Sequence, residues 1–355
     1  MAEGFFIGYK KVGKNLPTYI VAELSANHNH DFDQAVKLIQ LVKESGADAV
    51  KLQTYTPDTI TLDCQNDYFK IGKDATSDRQ SLYEFYSKAY TPWRWQPKLK
   101  EIAEGLGLSF FSTPFDKTAV DFLEEMDVPA YKVASFELVD IPLIEYIASK
   151  GKPIIMSTGM ATVDEISEAV RAARDAGAPH IALLKCTSVY PSSPAEMNLR
   201  TIPDMSKKFG CQVGLSDHTL GIVVPVVAVA LGACIIEKHL TLSRSIPSPD
   251  SEFSLEPYEF KMMVNSIRIA EEAFGRINYK VSRNEAKNRI FRRSLFVVKD
   301  VKKGDIFTEE NVRSIRPGYG LHPRYLRQVL GARSTMDIVS GTPLAQEMIS
   351  AKDMV

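Results

Sequence analysis

Short runs of apolar and β-branched residues alternate with amphipathic segments along the first 240 residues. The segments between the runs, such as DFDQAVKLIQLVKESG, place apolar residues at helical spacing and end in glycine. Strand, helix and strand in this order predict parallel strands joined by crossover helices. The predicted strands are residues 18–24, 47–53, 107–113, 129–135, 153–158, 180–186, 211–217 and 232–239.

The number of these units predicts the fold class. Eight strand–helix units in roughly 250 residues are typical of a (β/α)₈ TIM barrel, an α/β fold. The interval from residue 54 to 106 is longer than the others and predicts an inserted loop with additional helices. A doubly wound open sheet is the alternative, but no GxGxxG sequence follows the first strand. The sequence therefore predicts a barrel domain over residues 1–280.

The pattern changes after residue 280. Residues 281–294 are polar and charged and are predicted to form a linker. Residues 295–355 contain short β-rich pieces, such as LFVVKDVKKGDIFT and DIVSGTPL, joined by turns that contain glycine. They predict a small, separate β-rich domain.

Composition excludes some partners and compartments. The chain of 355 residues has 43 Lys and Arg against 44 Asp and Glu, so no nucleic-acid partner is expected. Its first residues, MAEGFFIGYKKVG, lack the layout of a signal peptide, and no apolar run is long enough for a membrane. The four cysteines show no CxxC spacing and indicate reduced thiols, so a cytoplasmic protein is expected.

Polar side chains lie where the predicted strands end. In a barrel of this type, catalytic groups come from the C-terminal ends of the strands. The polar residues at these ends are Glu23, Lys51, Gln53, Thr113, Lys132, Ser135, Ser157, Ser188, Tyr190, Ser216, His218, Glu237 and His239. A single lysine at a strand end is usually just solvated, but polar endings on all eight strands indicate a functional site.

Two of the six histidines, His218 and His239, end neighbouring predicted strands. Two imidazoles with open positions for water and substrate oxygens suit a divalent ion such as Mn, Fe, Co or Zn. The alternative is a pair of hydrogen-bonded core histidines. Asp217 points to the other face of its strand and is predicted to be structural or to support the ligands.

The other histidines, and a set of lysines and hydroxyls, also have predicted roles. His28 and His30 follow the first strand and are candidate substrate contacts, whereas His180 begins a strand at the opposite end and is predicted to be inert. Lysines and hydroxyls around the site suit a small phosphorylated anion. This set contains Lys51, Thr113, Lys132, Ser157, Ser188 and Ser216. A Schiff base on either lysine is the chemical alternative.

Ordered motifs along nearly the whole chain resemble the sialic acid synthase family. They include VAELSANHNH, VKLQTYTPDTITL, TPFDKTAVDFLE, YKVASFELVDIPLI, IIMSTGMAT, LLKCTSVYPS, VGLSDHT and IIEKHLTL. The segment VVKDVKKGDIFTEENVRSIRPGYGL is similar to the antifreeze-like (SAF) domain that this family carries after its barrel. The resemblance implies condensation of phosphoenolpyruvate with an open-chain, N-acetylated amino sugar and release of phosphate.

The resemblance also implies roles for individual residues. His218 and His239 would hold the metal, with Mn as the first choice and Mg or Co as alternatives. The phosphoenolpyruvate site would contain Lys51, Thr113, Lys132, Ser135, Ser157, Ser188 and Ser216. The sugar and water side would contain Glu23, Gln53, Tyr190, Glu237 and Asp250, with Glu237 or Glu23 taking the proton from water. Family members form dimers with exchanged caps, so Arg316 would reach the barrel of a partner subunit in a homodimer.

Two sequence features bear on the sugar. ELSANHNH stands where sialic-type and legionaminic-type members usually carry E-I-G-x-N-H-N-G, and Phe253 stands where sialic-type members tend to have a polar residue. Both favour a deoxygenated sugar such as 2,4-diacetamido-2,4,6-trideoxy-altrose over N-acetylmannosamine, although a core role for Phe253 is the alternative. Two other function classes fit less well. A metal-dependent hydrolase would show His-x-His on the first strand, and a non-catalytic binding protein would not need the polar strand ends.

Overall fold

A short antiparallel hairpin, β1 (Phe5–Ile7) and β2 (Lys10–Val12), precedes eight parallel strands that close into a barrel. The computed structural model describes residues 4–71 and 80–350, and the chain divides into two compact units, Met1–Gly275 and Arg276–Val355. The barrel strands are β3 (Tyr19–Glu23), β4 (Ala49–Thr54), β5 (Ser109–Pro114), β6 (Tyr131–Val133), β7 (Ile154–Ser157), β8 (Ile181–Cys186), β9 (Gln212–Asp217) and β10 (Ile235–His239).

The barrel closes through its last and first strands. β10 pairs with β3 in parallel, with Ile235 opposite Tyr19 and His239 opposite Glu23. Every other barrel strand pairs in parallel with its neighbour in the chain. Each of the eight predicted runs overlaps one of these strands, so the predicted (β/α)₈ barrel is confirmed.

Helices connect the strands and begin where the sequence supplies caps. Asp31 accepts a hydrogen bond from the Gln34 amide at the start of the helix Phe32–Glu44, and Thr162 with Glu165 forms a capping box at the start of the helix Val163–Asp175. The helices of the first unit are α1 (Phe32–Glu44), α2 (Pro57–Ile60), α3 (Leu82–Ala89), α4 (Gln96–Gly105), α5 (Lys117–Glu125), α6 (Ile141–Ala148), α7 (Val163–Asp175), α8 (Thr201–Phe209), α9 (Val223–Ala230) and α10 (Pro257–Phe274).

The long interval after β4 contains additional helices, as predicted. α2 and α3 both lie in it, whereas residues 72–79 of the predicted insertion lie outside the described residues. Across residues 4–71 and 80–350, no helix is both long and apolar enough to cross a membrane.

The hairpin packs at the N-terminal end of the barrel. Phe5, Ile7 and Val12 are buried, and the Phe5 ring stacks on His180 with ring centroids 5.2 Å apart. His180 therefore lies at the end of the barrel opposite the C-terminal strand ends, as its position predicted. The sequence pattern did not indicate the hairpin, because three-residue strands are too short to show a period.

The second unit has its own small sheet and core. β11 (Ser294–Val297) pairs with β12 (Val312–Ile315) in antiparallel fashion, and short helices α11 (Arg283–Lys287) and α12 (Leu326–Val329) flank them in the chain. Its buried core contains Leu295, Val297, Val301, Phe307, Val312, Val329, Ala332, Ile338, Leu344 and Ile349. A small β-rich C-terminal domain was predicted and is confirmed. Residues 281–294, predicted as a linker, include α11 and belong to this unit.

Candidate active site

The C-terminal ends of the barrel strands bring the predicted polar residues into one mouth. Strand register places Glu23 beside both His239 and Lys51, and it places Glu237 beside Ser216. The buried members of this set are Glu23, Lys51, Thr113, Lys132, Ser135, Ser157, Ser216, His218, Glu237 and His239, whereas Gln53, Ser188 and Asp250 are half-buried and Tyr190 is exposed. So many buried polar groups at one end of a barrel favour a binding site over a packed core.

Lys51 lies between two carboxylates. It forms an ion pair with Glu23, and its Nζ lies 3.8 Å from Glu237 Oε1 and 3.3 Å from Thr113 Oγ1. Burial lowers the pKa of Lys51 to about 8, and Glu237 partly opposes this effect. Lys51 is therefore still charged at neutral pH and offers a cation within the mouth.

Lys132 provides a second cation on the other side of the mouth. Its Nζ donates to Ser157 Oγ at 2.7 Å and to the Val133 carbonyl at 2.8 Å. The side chain is almost fully buried. Neither of these two contacts is with a carboxylate. The charge of this buried ammonium is therefore suited to an anionic ligand.

Gly159, which sequence reasoning missed, forms the floor beneath two of the predicted serines. Its amide donates to Ser135 Oγ at 3.1 Å. A Cβ at this position would lie 2.1 Å from Ser188 Oγ and 2.7 Å from Ser135 Oγ, so any larger residue would displace these hydroxyls. The two hydroxyls therefore converge over bare backbone, an arrangement that accommodates phosphate or carboxylate oxygens.

Glu237 and Glu23, the two candidate bases, differ in their contacts. Glu23 is engaged at both oxygens, because Oε1 accepts from the Ser25 amide at 2.8 Å and Oε2 pairs with Lys51. Glu237 Oε1 accepts from the Ser216 hydroxyl at 3.0 Å, and Oε2 takes part in neither that contact nor the one with Lys51. Burial acts to raise the pKa of Glu237, but Lys132 and Lys51 outweigh it, so the carboxyl is held ionised.

His218 and His239 meet in the mouth, with ring centroids 5.3 Å apart. Nδ1 of His218 lies 3.3 Å from the Thr187 carbonyl, an acceptor, so this nitrogen carries the proton and Nε2 the lone pair. Nδ1 of His239 is buried and has no hydrogen-bond partner among the described residues. An unpartnered buried nitrogen beside a second, oriented imidazole fits a pair of metal ligands.

The donor set around these histidines leaves open positions. Over the described ranges 4–71 and 80–350, no group of three or more His, Cys, Asp or Glu side chains could hold a metal ion. An ion bound by the two imidazoles would thus take its remaining ligands from water and substrate. Burial, and then the neighbouring His218, lowers the pKa of His239 well below its usual value, which keeps that imidazole in the neutral, metal-binding form.

Cys186 is a further neighbour of His218 that sequence reasoning did not select. Its Sγ lies 3.8 Å from His218 Nδ1. Burial acts to raise the pKa of Cys186, but the contact with His218 outweighs it and brings the pKa to about 7. Burial acts to lower the pKa of His218, and Cys186 in turn outweighs it and raises that pKa.

Aromatic rings form one wall beside the histidines. The Phe253 ring centroid lies 4.8 Å from that of His239, 5.8 Å from that of His218 and 5.1 Å from that of Tyr190. Phe253 is buried, but it is buried at the mouth and not in the barrel core. Asp250, three residues earlier, accepts from the Ala26 amide at 3.1 Å, and burial raises the pKa of this carboxyl. This side of the mouth is therefore mostly apolar.

Glu137 is a second candidate residue that sequence reasoning missed. It follows β6 in a short 3-10 turn, its Oε2 is buried, and this oxygen has no hydrogen-bond partner in the described part of the chain. Burial raises the pKa of Glu137 to about 7, and Lys132 partly opposes this effect. A carboxyl that is half protonated at neutral pH is a candidate proton donor. The exposed residues around it, Phe136 and Val139, gave no signal for a site.

Two other sequence-selected histidines are engaged elsewhere. The Nε2 atom of His28 lies 2.9 Å from Thr91 Oγ1, and its Nδ1 accepts from the His30 amide at 3.1 Å. Burial lowers the pKa of His28 to about 4, so it stays neutral. His30 is exposed and its ring packs against Tyr90 at 4.7 Å. Both ring nitrogens of His28 are thus satisfied within the protein, which favours a structural role.

Arg316 lies in the second unit, where it is exposed and precedes a cis peptide bond to Pro317. Asp217 has the structural contacts predicted for it: it is fully buried and forms an ion pair with Lys238.

Comparisons with known proteins agree with this geometry. The model of the NeuB family matches residues 38–279, and that of the SAF domain matches residues 292–350. A pseudaminic acid synthase of Campylobacter jejuni is 46% identical over 328 residues, which cover 92% of this chain and 95% of that protein. A pseudaminic acid synthase of Helicobacter pylori is 45% identical over 337 residues, which cover 94% and 98%.

Solved structures agree as well. The crystal structure of an N-acetylneuraminic acid synthetase from Leptospira borgpetersenii superposes with a TM-score of 0.72 at 30% identity, over 81% of this chain and 95% of that one. The family resemblance predicted from the motifs is confirmed. The family model covers more than half of the chain and the relatives cover almost all of it. The chain therefore belongs to the NeuB family and is an enzyme.

Proposed function

We propose that this enzyme is a pseudaminic acid synthase, which condenses phosphoenolpyruvate with 2,4-diacetamido-2,4,6-trideoxy-L-altrose and water to give pseudaminic acid and phosphate. One observation carries the proposal. A cradle of two buried lysines and several hydroxyls faces a histidine pair and an ionised glutamate across one barrel mouth. The identity to pseudaminic acid synthases over nearly the whole chain supports it.

The cation side of the mouth would bind phosphoenolpyruvate. Lys132, paired with the Ser157 hydroxyl, and Lys51, beside Thr113, supply the charges. The hydroxyls of Ser135 and Ser188 converge over Gly159 and would hold further oxygens of the anion. Each charged hydrogen bond of this kind contributes about 1.5–3 kcal/mol. Ser216 would complete the ring through its contact with Glu237.

A divalent ion, with Mn as the first choice, would be held by His218 and His239. When bound, it supplies Lewis acidity toward the aldehyde oxygen of the sugar. The protein's own part is to orient the ligands. The Thr187 carbonyl fixes the tautomer of His218, and burial keeps His239 neutral.

The reaction then forms one carbon–carbon bond and breaks one carbon–oxygen bond. Carbon three of phosphoenolpyruvate attacks the aldehyde carbon, which leaves oxocarbenium character at carbon two. Water adds at carbon two, and we assign its proton to Glu237, whose Oε2 is not used by Ser216 or Lys51. That proton then passes to the oxygen of the former aldehyde, which becomes a hydroxyl. The tetrahedral intermediate collapses to the keto acid as the bond from carbon two to the phosphate oxygen breaks. We assign a proton relay to Glu137, which would give its proton to the departing phosphate and regain one from the hydroxyl of the intermediate.

The apolar wall favours a deoxygenated sugar. Phe253 and Tyr190 present ring surface beside the two histidines, where a methyl group at carbon six would pack better than a hydroxyl. Gln53 and Asp250 would serve the acetamido groups and hydroxyls of the same sugar. An N-acetylneuraminate or legionaminate synthase that takes an N-acetylmannosamine-type sugar is the alternative.

The mouth also offers a surface for a second copy of the chain. Four consecutive βα connections, together with the first residues of α7 and α9, carry exposed apolar side chains, namely Phe136, Val139, Met160, Val163, Val189, Leu220 and Val223. A group of exposed apolar side chains is typical of a surface that binds a protein partner. We propose a homodimer in which the C-terminal domain of the partner covers it and brings its Arg316 to the sugar, where the guanidinium suits an acetamido carbonyl.

The test is a phosphate-release assay over a panel of amino sugars. We expect release of phosphate from phosphoenolpyruvate only when sugar is added, with the trideoxy-altrose sugar preferred over N-acetylmannosamine. Stripping metal should abolish turnover, Mn²⁺ should restore it, and His218→Ala or His239→Ala should lower Mn²⁺ binding while the protein stays folded. A preference for N-acetylmannosamine would support the alternative sugar. Sugar-independent hydrolysis, full activity without metal, or a borohydride-trapped lysine adduct would contradict the proposed chemistry.

A further inference from the structure

A buried ion pair lies between the two strands that carry the histidines. Register pairs Lys238 of β10 directly with Asp217 of β9, and both side chains are 0% exposed. Side chains alternate across a strand, so this pair faces away from the mouth while His218 and His239, the next residues, face into it. Each charged residue is therefore one peptide away from a candidate metal ligand.

Both members of the pair also bind Thr219, the residue that follows His218. Asp217 Oδ1 accepts from the Thr219 amide at 3.1 Å and from its hydroxyl at 2.9 Å. The Lys238 ammonium donates to the Thr219 carbonyl. Thr219 is itself fully buried. The backbone of His218 is thus held on both sides by the same ion pair.

A second connection runs from His218 to the loop after β8. The Ser192 amide donates to the His218 carbonyl at 2.9 Å, and the Ser192 hydroxyl lies 2.8 Å from the Thr187 carbonyl. The Thr187 carbonyl is the acceptor that faces His218 Nδ1. Ser192 therefore connects the backbone of His218 to Thr187, whose carbonyl orients the His218 imidazole. The ion pair binds the residue that follows His218.

Stability alone does not account for an ion pair at this place. Removing two charges from water costs several kcal/mol, and apolar residues of similar volume often give equal or greater stability. An apolar pair cannot supply the acceptor and the donor that Thr219 uses. The hydrogen bonds to Thr219 are what this pair provides beyond packing.

We infer that Asp217 and Lys238 are positioning residues, which clamp Thr219 and thereby hold the His218 imidazole in register with His239. The inference rests on the proposed function, because it deepens the account of the metal-binding histidines. The clamp sets the orientation of His218. Loss of the clamp should therefore weaken metal binding and lower kcat more than it raises the KM for phosphoenolpyruvate.

Two double variants separate charge from hydrogen bonding. Asp217→Leu with Lys238→Met removes both, whereas Asp217→Asn with Lys238→Gln removes the charges and keeps an acceptor and a donor for Thr219. We expect the apolar pair to bind Mn²⁺ about ten- to hundredfold more weakly, with a parallel fall in kcat, and the polar pair to recover most of both. Asp48→Asn is the matched control, because Asp48 is a buried, ion-paired aspartate at the other end of the barrel.

The readouts are thermal unfolding, Mn²⁺ titration calorimetry, the split between kcat and KM, and the His218 ring signals in NMR spectra of histidine-labelled protein. The apolar pair should shift or broaden the His218 signals and leave those of His180 unchanged. If the apolar pair fails to fold, Thr219→Val, which removes only the hydroxyl contact, should produce the same shift on a smaller scale. The inference is overturned if the His218 signals do not move, or if the apolar pair behaves like Asp48→Asn. If the native chain binds no Mn²⁺, the proposed metal is wrong, and the His218 signals still decide the inference.

Discussion

At the scale of single residues, the shape of the mouth depends on a glycine as well as on the polar side chains. Gly159 lies so close to Ser135 and Ser188 that one added carbon would occupy the space between their hydroxyls. The sequence predicted the polar residues at the strand ends, but it did not predict the close contact at Gly159. Lys51, Lys132, His218 and His239 could be selected because they lie at the ends of apolar runs, which are visible in the sequence. The contact at Gly159 joins three separate loops, and no spacing along the chain reveals it.

Gly159→Ala tests this cradle. The methyl group would displace both serine hydroxyls, so we expect the KM for phosphoenolpyruvate to rise about tenfold or more, which matches the loss of one charged hydrogen bond of about 1.5–3 kcal/mol. The KM for the sugar should change little. Gly105→Ala is the control, because nothing lies within 4 Å of a Cβ built there. An unchanged KM for phosphoenolpyruvate in Gly159→Ala would contradict the cradle.

Glu137 predicts a specific pH dependence. Its pKa is raised to about 7 by burial, so the carboxyl is protonated below that pH and loses its proton as the pH rises through it. We expect kcat/KM for phosphoenolpyruvate to fall over the same interval. The amide of Glu137→Gln cannot transfer a proton, so this variant should have a lower kcat/KM and lack this limb, while a decline near pH 8, where Lys51 loses its charge, should remain. A profile that is the same in both proteins would exclude Glu137 as the donor.

At the scale of elements, the strand pattern predicted the eight barrel strands because buried parallel strands are continuous apolar runs. The sequence did not predict how these strands pack against one another. Gly214 in β9 lies under β10, where a Cβ would meet the Ile235 carbonyl at 2.4 Å and Leu184 at 2.6 Å. The hairpin β1–β2 also escaped prediction, because its strands are only three residues long.

Gly214→Ala tests the packing of β9 against β10. The added methyl would force these strands apart, and such overpacking costs about 1–3 kcal/mol of the free energy of unfolding. Chemical denaturation should show the loss, with Gly105→Ala as the control for glycine replacement. Because β9 and β10 carry the two histidines, weaker Mn²⁺ binding should accompany it. Native stability in Gly214→Ala would show that the barrel wall can adjust at this point.

At the scale of the whole molecule, the proposed homodimer makes a prediction about mixtures. Arg316→Ala and His239→Ala should each be inactive alone, because each removes one half of a shared site. After subunit exchange, one mouth in a mixed dimer would hold both native residues, so up to about a quarter of native activity should return when the variants are mixed at equal amounts. Size-exclusion chromatography of tagged and untagged subunits would verify exchange. Exchange without recovery of activity would contradict the shared site.

The closure of the barrel has a consequence for biosynthesis of the chain. Among the barrel strands, a ribosome makes β3 first and β10 last, yet these two strands are neighbours, and they bring Glu23 beside His239. Until β10 has emerged, the nascent sheet has an unpaired edge on β3, and unpaired edges invite pairing with other chains. The polar groups of the mouth cannot all meet before that moment. Translation must therefore run almost to the end of the barrel before the growing polypeptide can form the complete mouth, and the intermediate lengths leave the edge of β3 open to wrong pairing.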